Sequence, residues 1–384
     1  MEVCKEKEIK ETVYKAESIM QKQTIVIDVS RADETDKEKW SNGLSKPAKS
    51  LKQGGLVAFP TETVYGLGAD ALNETAARRI YEAKGRPSDN PLIVHIAELA
   101  DMDKLAYVNE MAIALAQAFW PGPLTIILPK KDIVPDGTTG GLNTVAVRMP
   151  SHPVALELIR QSGVYVAAPS ANTSGRPSPT RASHVIEDMA GKIDYIVDGG
   201  AVGIGIESTI IDVSGKEPTI LRPGFITRQM LEQIVGEVSM DPTLEKPVEG
   251  LPPKAPGMKY THYAPKGEMT LVESVSHQGK LPFEKKVIEA IKQFAKAKQQ
   301  EGYKVGIMAS KETLCYYDGY ADALICVGER EGQQTVAAGL YAALREFDAA
   351  GVDFIYAESF RGEALSDAIM NRLLKAAGHR VVKV

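Results

Sequence analysis

The sequence predicts an α/β protein built from two unequal domains, and three observations carry that expectation. At 384 residues the chain is too long for one ordinary hydrophobic core. Short apolar runs alternate with helix-like stretches along most of its length, the pattern of layered sheets and helices. The segment 241–266 carries Pro242, Pro247, Pro252, Pro253, Pro256 and Pro265, which make it an extended, semi-rigid connector. The chain therefore divides into an N-terminal extension over 1–23, a larger domain over 24–238, a linker over 239–267 and a smaller domain over 268–384.

The extension is rich in Lys and Glu and reads as a loose helix or a tail, with Met20 as an alternative start. Residues 24–29 alternate like a strand, and 33–53 read as a helix broken near Pro47. The organising stretch is 54–95. It opens with a strand over 56–59 that Pro60 stops; Thr61, Glu62 and Thr63 follow, and Gly66 and Gly68 allow close approach of backbone. A helix over 74–83, with Asn73 as its N-cap, ends at Lys84-Gly85-Arg86-Pro87. Asn90-Pro91 and a strand over 92–96 carrying His95 come next. Hydroxyls, two cations and an amide thus issue from strand ends and turns, where binding sites gather. Taken alone, Lys84 and Arg86 also fit a solvated helix C-terminus, where cations suit the dipole.

Further on, 109–119 reads as a helix, 124–128 as a strand, 136–142 as a glycine-rich loop and 145–148 as a strand ending in Arg148. A guanidinium closing an apolar strand suits an anionic ligand, or equally a rim salt bridge. A helix over 152–161 and a strand over 164–168 lead into Pro169-Ser170-Ala171-Asn172-Thr173-Ser174-Gly175-Arg176-Pro177-Ser178. Its small hydroxyl and amide side chains fit a phosphate cradle or a capped turn. Strands at 193–197 and 210–213, the segment Ile220-Leu221-Arg222-Pro223-Gly224 and a helix near 227–235 complete the larger domain. The linker holds Met258, Tyr260, His262 and Tyr263, an aromatic content that suggests docking. Beyond it, strands at 269–272, 305–309, 323–327 and 354–357 alternate with helices at 283–299, 333–349 and 364–377, which predicts a small parallel layered sheet. Glu358, Arg361 and Asn371 there read as structural polar residues.

Composition narrows the function classes. A content of 44% hydrophobic and 25% charged residues is ordinary for a globular chain, and a net charge of -5 argues against a nonspecific nucleic-acid binder. Cys4, Cys315 and Cys326 are scattered, which suits a reducing compartment and neither a disulfide framework nor a zinc site. The charged N-terminus does not read as a secretion signal, and no apolar run nears ~20 residues. A cytoplasmic location is expected.

Pro60-Thr61-Glu62-Thr63-Val64-Tyr65-Gly66-Leu67-Gly68, Lys84-Gly85-Arg86-Pro87, Pro169-Ser170-Ala171-Asn172 and Leu221-Arg222-Pro223-Gly224, in this order, resemble the YrdC-type threonylcarbamoyl-adenylate synthases over about residues 24–236. Pro256-Gly257-Met258, His262-Tyr263-Ala264-Pro265 and the C-terminal part resemble the two-domain, long-form branch of that family. The resemblance implies a twisted, mainly parallel α/β sheet around a basic cavity, followed by a smaller Rossmann-like domain. It implies a nucleotidyltransferase that converts L-threonine, bicarbonate or CO2, and ATP with Mg2+ into threonylcarbamoyl-AMP and pyrophosphate. Downstream transferases then pass the threonylcarbamoyl group to adenosine 37 of tRNA, so direct tRNA binding by this chain is not required. Carried over by position, L-threonine would meet Thr63, His95, Arg148, the Ala168 backbone and Ser208. ATP would meet Lys84, Arg86, Asn90, Thr144, Ser170, Ser178, Arg222 and Tyr263, with Lys84, Arg86 and Arg222 as the catalytic cations and no protein-held metal.

That chemistry agrees with the inventory of residues, since carbamate formation and attack on phosphorus need charge neutralisation and alignment more than a side-chain nucleophile. The linker from Pro256 to Pro265 is expected to fold over the nucleotide as a lid. One rival reading is an RNA-binding module using a basic cavity; the acidic balance and the lack of aromatic strips count against it. A second is a carbamoyl-transfer enzyme like the hydrogenase maturation factors, against which stands the absence of CxxC pairs.

Overall fold

The computed structural model describes residues 11–14, 22–30, 37–244, 253–256, 263–275, 281–362 and 364–384. Its first sheet contains β1 (Glu11–Tyr14), β2 (Thr24–Asp28), β3 (Val57–Phe59), β4 (Gly66–Asp70), β5 (Ile93–His95), β6 (Leu124–Pro129), β7 (Thr144–Arg148), β8 (Val166–Ala167), β9 (Tyr195–Asp198), β10 (Thr209–Asp212), β11 (Thr219–Arg222) and β12 (Ser239–Met240). The strands lie in the order β1-β2-β9-β3-β4-β8-β5-β7-β6-β10-β11-β12. The sheet is mixed, with parallel and antiparallel ladders in nearly equal number. Ladders β2–β9, β3–β9, β5–β7, β6–β10 and β11–β12 are parallel, and the remaining neighbours run antiparallel.

The period-two alternation of the strands sorts their side chains onto two cores. Val57 and Phe59 join Trp40, Leu44, Leu51 and Leu158 under helices α1 (Lys37–Gly43), α2 (Ser45–Lys52) and α7 (Pro153–Ser162). Ala58 faces the other way, into a core shared with Ile80, Leu105, Leu115, Val185 and Leu231. Those residues come from α3 (Glu74–Lys84), α4 (Asp101–Leu105), α5 (Glu110–Phe119), α8 (Ala182–Met189) and α9 (Arg228–Val235). A one-turn helix, α6 (Asp136–Thr139), opens the expected glycine-rich loop, which Gly140 and Gly141 continue at positive φ.

Two local expectations are corrected. Residues Glu11–Tyr14 of the extension form a strand, because they can pair antiparallel with the edge strand β2. The break in the 33–53 helix falls at Leu44, not Pro47, since Pro47 sits in the first turn of α2, where its missing N–H has no partner to lose.

The second sheet, β15-β14-β16-β13-β17, is parallel throughout and comprises β13 (Glu268–Glu273), β14 (Val305–Ser310), β15 (Ala323–Gly328), β16 (Phe354–Glu358) and β17 (Val381–Lys383). One face packs α10 (Leu281–Gln300) through Ile288 and Ile291. The other carries α11 (Gln333–Ala350) and α12 (Ser366–Ala376), whose Leu340, Tyr341 and Ile369 share a core with Val64, Ile206 and Tyr263. The two sheets are therefore joined through α11 and α12, directly behind the loops that follow β3 and precede β10. Gly205 marks how close that approach is: a Cβ there would lie 2.4 Å from the Ala338 Cα.

Candidate active site

The loops at the ends of β3, β5, β7, β8 and β11 enclose one cavity, walled by Thr63, Arg86, His95, Arg148, Ala168, Ser170, Glu207, Arg222, Pro256 and Tyr263 among others. As it stands the cavity is small, about 50 Å³, room for a few waters. Pro256 and Tyr263 come from the linker, so two of its described residues line the cavity.

One end is built from β5, β7 and the turn after β3. Thr61 donates to the Val64 carbonyl at 2.6 Å and lies 2.9 Å from the Thr63 hydroxyl, which fixes the turn. Arg148 ends β7 and is buried; Nη1 donates to Thr63 Oγ1 at 3.0 Å and Nη2 to Glu62 Oε1 at 2.6 Å. Its Nε is left without a hydrogen-bond partner. His95 donates from Nδ1 to the Ile93 carbonyl at 3.1 Å. Burial, then the adjacent Arg148, push its pKa down to about 3, so the ring is neutral.

The other end is built from the C-terminus of α3, the loop after β8 and the end of β11. Gly85 caps α3 in the left-handed region at φ 60°, which turns Lys84 inward and lets Arg86 reach the cavity. Lys84 does not line the cavity. Its ammonium donates to the Ser170 carbonyl at 2.5 Å and to the Asn172 carbonyl, and so pins the loop from behind. Burial, reinforced by Arg86, pushes its pKa well down. Ser170 in turn donates to Asn172 Oδ1 at 2.6 Å. Among the described residues Arg86 hydrogen-bonds only to the Asn90 and Pro91 carbonyls, at 3.4 and 3.3 Å, and its Nε has no hydrogen-bond partner. Burial lowers its pKa to about 10, still protonated at neutral pH. Arg222 donates from Nε to the Ser208 carbonyl at 3.0 Å, from Nη2 to Ser208 Oγ at 3.1 Å and from Nη1 to the Pro256 carbonyl at 3.3 Å. Neither Arg86 nor Arg222 makes an ion pair among the described residues, and a cavity holding two such guanidinium groups is built for an anion.

Of the residues expected from sequence, Thr63, Arg86, His95, Arg148, Ala168, Ser170, Arg222 and Tyr263 reach the cavity wall. Ser208 and Ser178 stand one hydrogen bond behind it, through Arg222 and Glu207 respectively. Asn90 is buried beside Arg86 with its Oδ1 unpartnered. Thr144 is not brought to the wall: it starts β7, four residues from Arg148, about 13 Å away along an extended strand. Gly66 lines the cavity, but Gly68 is needed by the core: a Cβ there would meet Val166 at 2.7 Å and Phe59 at 2.8 Å. Tyr263 holds φ 68°, a costly conformation for a bulky residue, and its ring lies 5.1 Å from that of Tyr341. Met258, Tyr260 and His262 lie outside the described residues.

Glu62 and Glu207 are two carboxylates of the site that the sequence does not single out. Both sit inside quoted motifs or strand starts, yet their roles depend on partners distant in the chain: Arg148 for Glu62, Arg372 and Tyr341 for Glu207.

The "Telomere recombination" family model (Sua5/YciO/YrdC) matches residues 49–224, and the model described as "Threonylcarbamoyl-AMP synthase, C-terminal domain" matches residues 226–378. A threonylcarbamoyl-AMP synthase of Bacillus subtilis is 49% identical over 88% of this chain and 94% of its own length. One from Pyrococcus abyssi is 47% identical over 94% of this chain and 100% of its own. Among solved structures, P. abyssi Sua5 complexed with L-threonine superposes with a TM-score of 0.84 at 46% identity, covering 94% of this chain and 99% of that one.

Proposed function

The chain belongs to the threonylcarbamoyl-AMP synthase family, in its two-domain form, and from that premise we propose that it makes threonylcarbamoyl-AMP and pyrophosphate from L-threonine, bicarbonate or CO2, and ATP. The observation that supports this most is the meeting of Arg86, Arg148 and Arg222 on one cavity that also presents Thr63 and a neutral His95. Threonine lies at the Arg148 end, its carboxylate taken by the guanidinium edge that Glu62 leaves open and its hydroxyl within reach of neutral partners. The triphosphate lies at the Arg86 and Arg222 end, beside the Ser170 loop.

The reaction then needs no side-chain nucleophile. Threonine's amine adds to CO2, a C–N bond forms, and a proton leaves to give the carbamate. A carbamate oxygen attacks the α-phosphorus, and the bond to the pyrophosphate oxygen breaks. Arg86 and Arg222 hold the developing charge on phosphate, fixed in place by backbone carbonyls before substrate arrives. Lys84 serves this step by shaping the Ser170–Asn172 turn. Mg2+ enters with ATP as part of the substrate; Glu207, the carboxylate at this wall, already has Ser178, Tyr341 and Arg372 on its oxygens and fits a structural role better than a metal ligand. As a nucleotidyltransferase product, the labile adenylate would be made in the cytoplasm and passed to tRNA-modifying transferases. Two linker residues, Pro256 and Tyr263, on the cavity wall support a role for the linker as a lid that keeps water from it.

The test is incubation of the full chain with ATP, Mg2+, bicarbonate and each amino acid in turn. Pyrophosphate release that requires L-threonine is the expected result; release independent of any amino acid would reject the reading.

A further inference from the structure

Glu207 poses a physical problem. It is a buried carboxylate in the wall of a cavity that has to receive a triphosphate. Left alone, it would repel phosphate and draw the nearby Arg222 guanidinium to itself. The structure shows what prevents this. From α12, Arg372 is fully buried and donates from Nε to Glu207 Oε2 at 3.1 Å, from Nη2 to the Glu207 carbonyl at 3.3 Å, and from Nη1 to the Pro223 carbonyl. From α11, the Tyr341 hydroxyl lies 2.8 and 3.0 Å from the two Glu207 oxygens.

We propose that Arg372 and Tyr341, both supplied by the C-terminal domain, are positioning residues for the nucleotide end of the cavity: they claim the Glu207 carboxylate and leave Arg222 available to phosphate. This rests on the reading of the cavity given above and assigns the C-terminal domain a part in it. Three features carry the inference. Glu207 precedes Ser208 and Pro223 follows Arg222, so the three bonds of Arg372 staple together the two segments from which Ser208 and Arg222 project. Among the described residues Arg222 itself then bonds only neutral acceptors. Lastly, the Tyr341 ring lies 5.1 Å from that of Tyr263, so the same helix backs the linker residue on the cavity wall. Burial favours a neutral Glu207, but Arg372 and then Arg222 overcome it and hold the carboxyl down to about 2, so the charge that must be balanced is permanent at physiological pH.

The experiment uses the full-length chain with Arg372→Met, Tyr341→Phe and the double variant Glu207→Gln/Arg372→Met. It measures calorimetric binding of ATP–Mg2+ and of L-threonine, with the KM and kcat of pyrophosphate release. Arg372→Met is expected to weaken ATP about tenfold or more while L-threonine affinity moves less than about threefold. Adding Glu207→Gln should recover a substantial part of the ATP loss, because a neutral amide needs no counter-charge. Should Arg372→Met fail to fold, Tyr341→Phe still reports, with an expected rise of about threefold in the KM for ATP. Unchanged ATP binding in both single variants would overturn the inference. So would equal weakening of both substrates with no recovery in the double variant, the mark of a merely structural pair. A wild-type chain that neither binds ATP nor releases pyrophosphate would instead remove the functional reading, and this inference with it.

Discussion

The two ends of the cavity hold their guanidinium groups in opposite ways. At one end Arg148 is paired with Glu62 at 2.6 Å, so most of its charge is balanced within the protein before any ligand arrives. At the other, Arg86 and Arg222 are held by carbonyl and hydroxyl oxygens, which orient the group without neutralising it. The difference matches two kinds of guest. A single carboxylate needs a well-aimed fork and little net charge. A triphosphate passing through a charged transition state needs surplus positive charge already in position, since reorganising it during the reaction would cost rate.

The largest expected effect comes from deleting a cation at the uncompensated end. Arg222→Ala, or Arg86→Ala, should lower the rate of pyrophosphate release by on the order of 10²–10³, as for other preorganised electrostatic groups. A near-normal rate in steady-state assays would take that residue off the reaction path. At the compensated end, Arg148→Lys keeps the charge but loses the fork. It should raise the KM for L-threonine by about 10–100-fold and leave ATP binding alone, read by titrating each substrate at saturation of the other. If both substrates weaken together, the two ends are not separate.

A third measurement concerns pH. The His95 pKa falls from 6.5 to about 3 in the fold, through burial first and Arg148 second. Between those values the unfolded chain binds a proton that the folded chain refuses, so stability is lost as pH drops from about 6.5 toward 3. His95 alone should account for about 2 kcal/mol of that loss at pH 5. His184, lowered to about 4 by burial and Arg345, acts in the same direction. Thermal melts at pH 7 and 5 should show a smaller drop for His95→Gln than for the parent chain. The smallest effect belongs outside both ends: Asn73 caps α3 by accepting from the Ala76 N–H at 3.1 Å, and Asn73→Ala should cost about 1 kcal/mol of stability with kcat unchanged.

What could be read in advance follows from range along the chain. Caps and turns are local: Asn73 caps its helix where the sequence places it, and Asn109 and Thr227, read as the first residues of their helices, cap them. The second domain, with long amphipathic helices between apolar strands, was legible almost element by element. By contrast β4 spells Gly-Leu-Gly-Ala-Asp, a poor strand on propensity, and becomes one because β3 and β8 flank it. α8 was hidden behind a proline- and serine-rich lead-in. In the site, residues within motifs were found, whereas the pairings that give them their electrostatic character were not. Glu62 meets Arg148 across 86 residues and Glu207 meets Arg372 across 165. No local pattern encodes such a partner.

The most direct test of a cavity that joins an amino acid to a nucleotide through a carbonyl is the product itself. The full chain, supplied with ATP, Mg2+, L-threonine and ¹³C-bicarbonate, should yield by mass spectrometry an adenylate carrying both threonine and one ¹³C. An adenylate of threonine without the label, or AMP and pyrophosphate formed with no mixed product at any time point, would contradict the assignment.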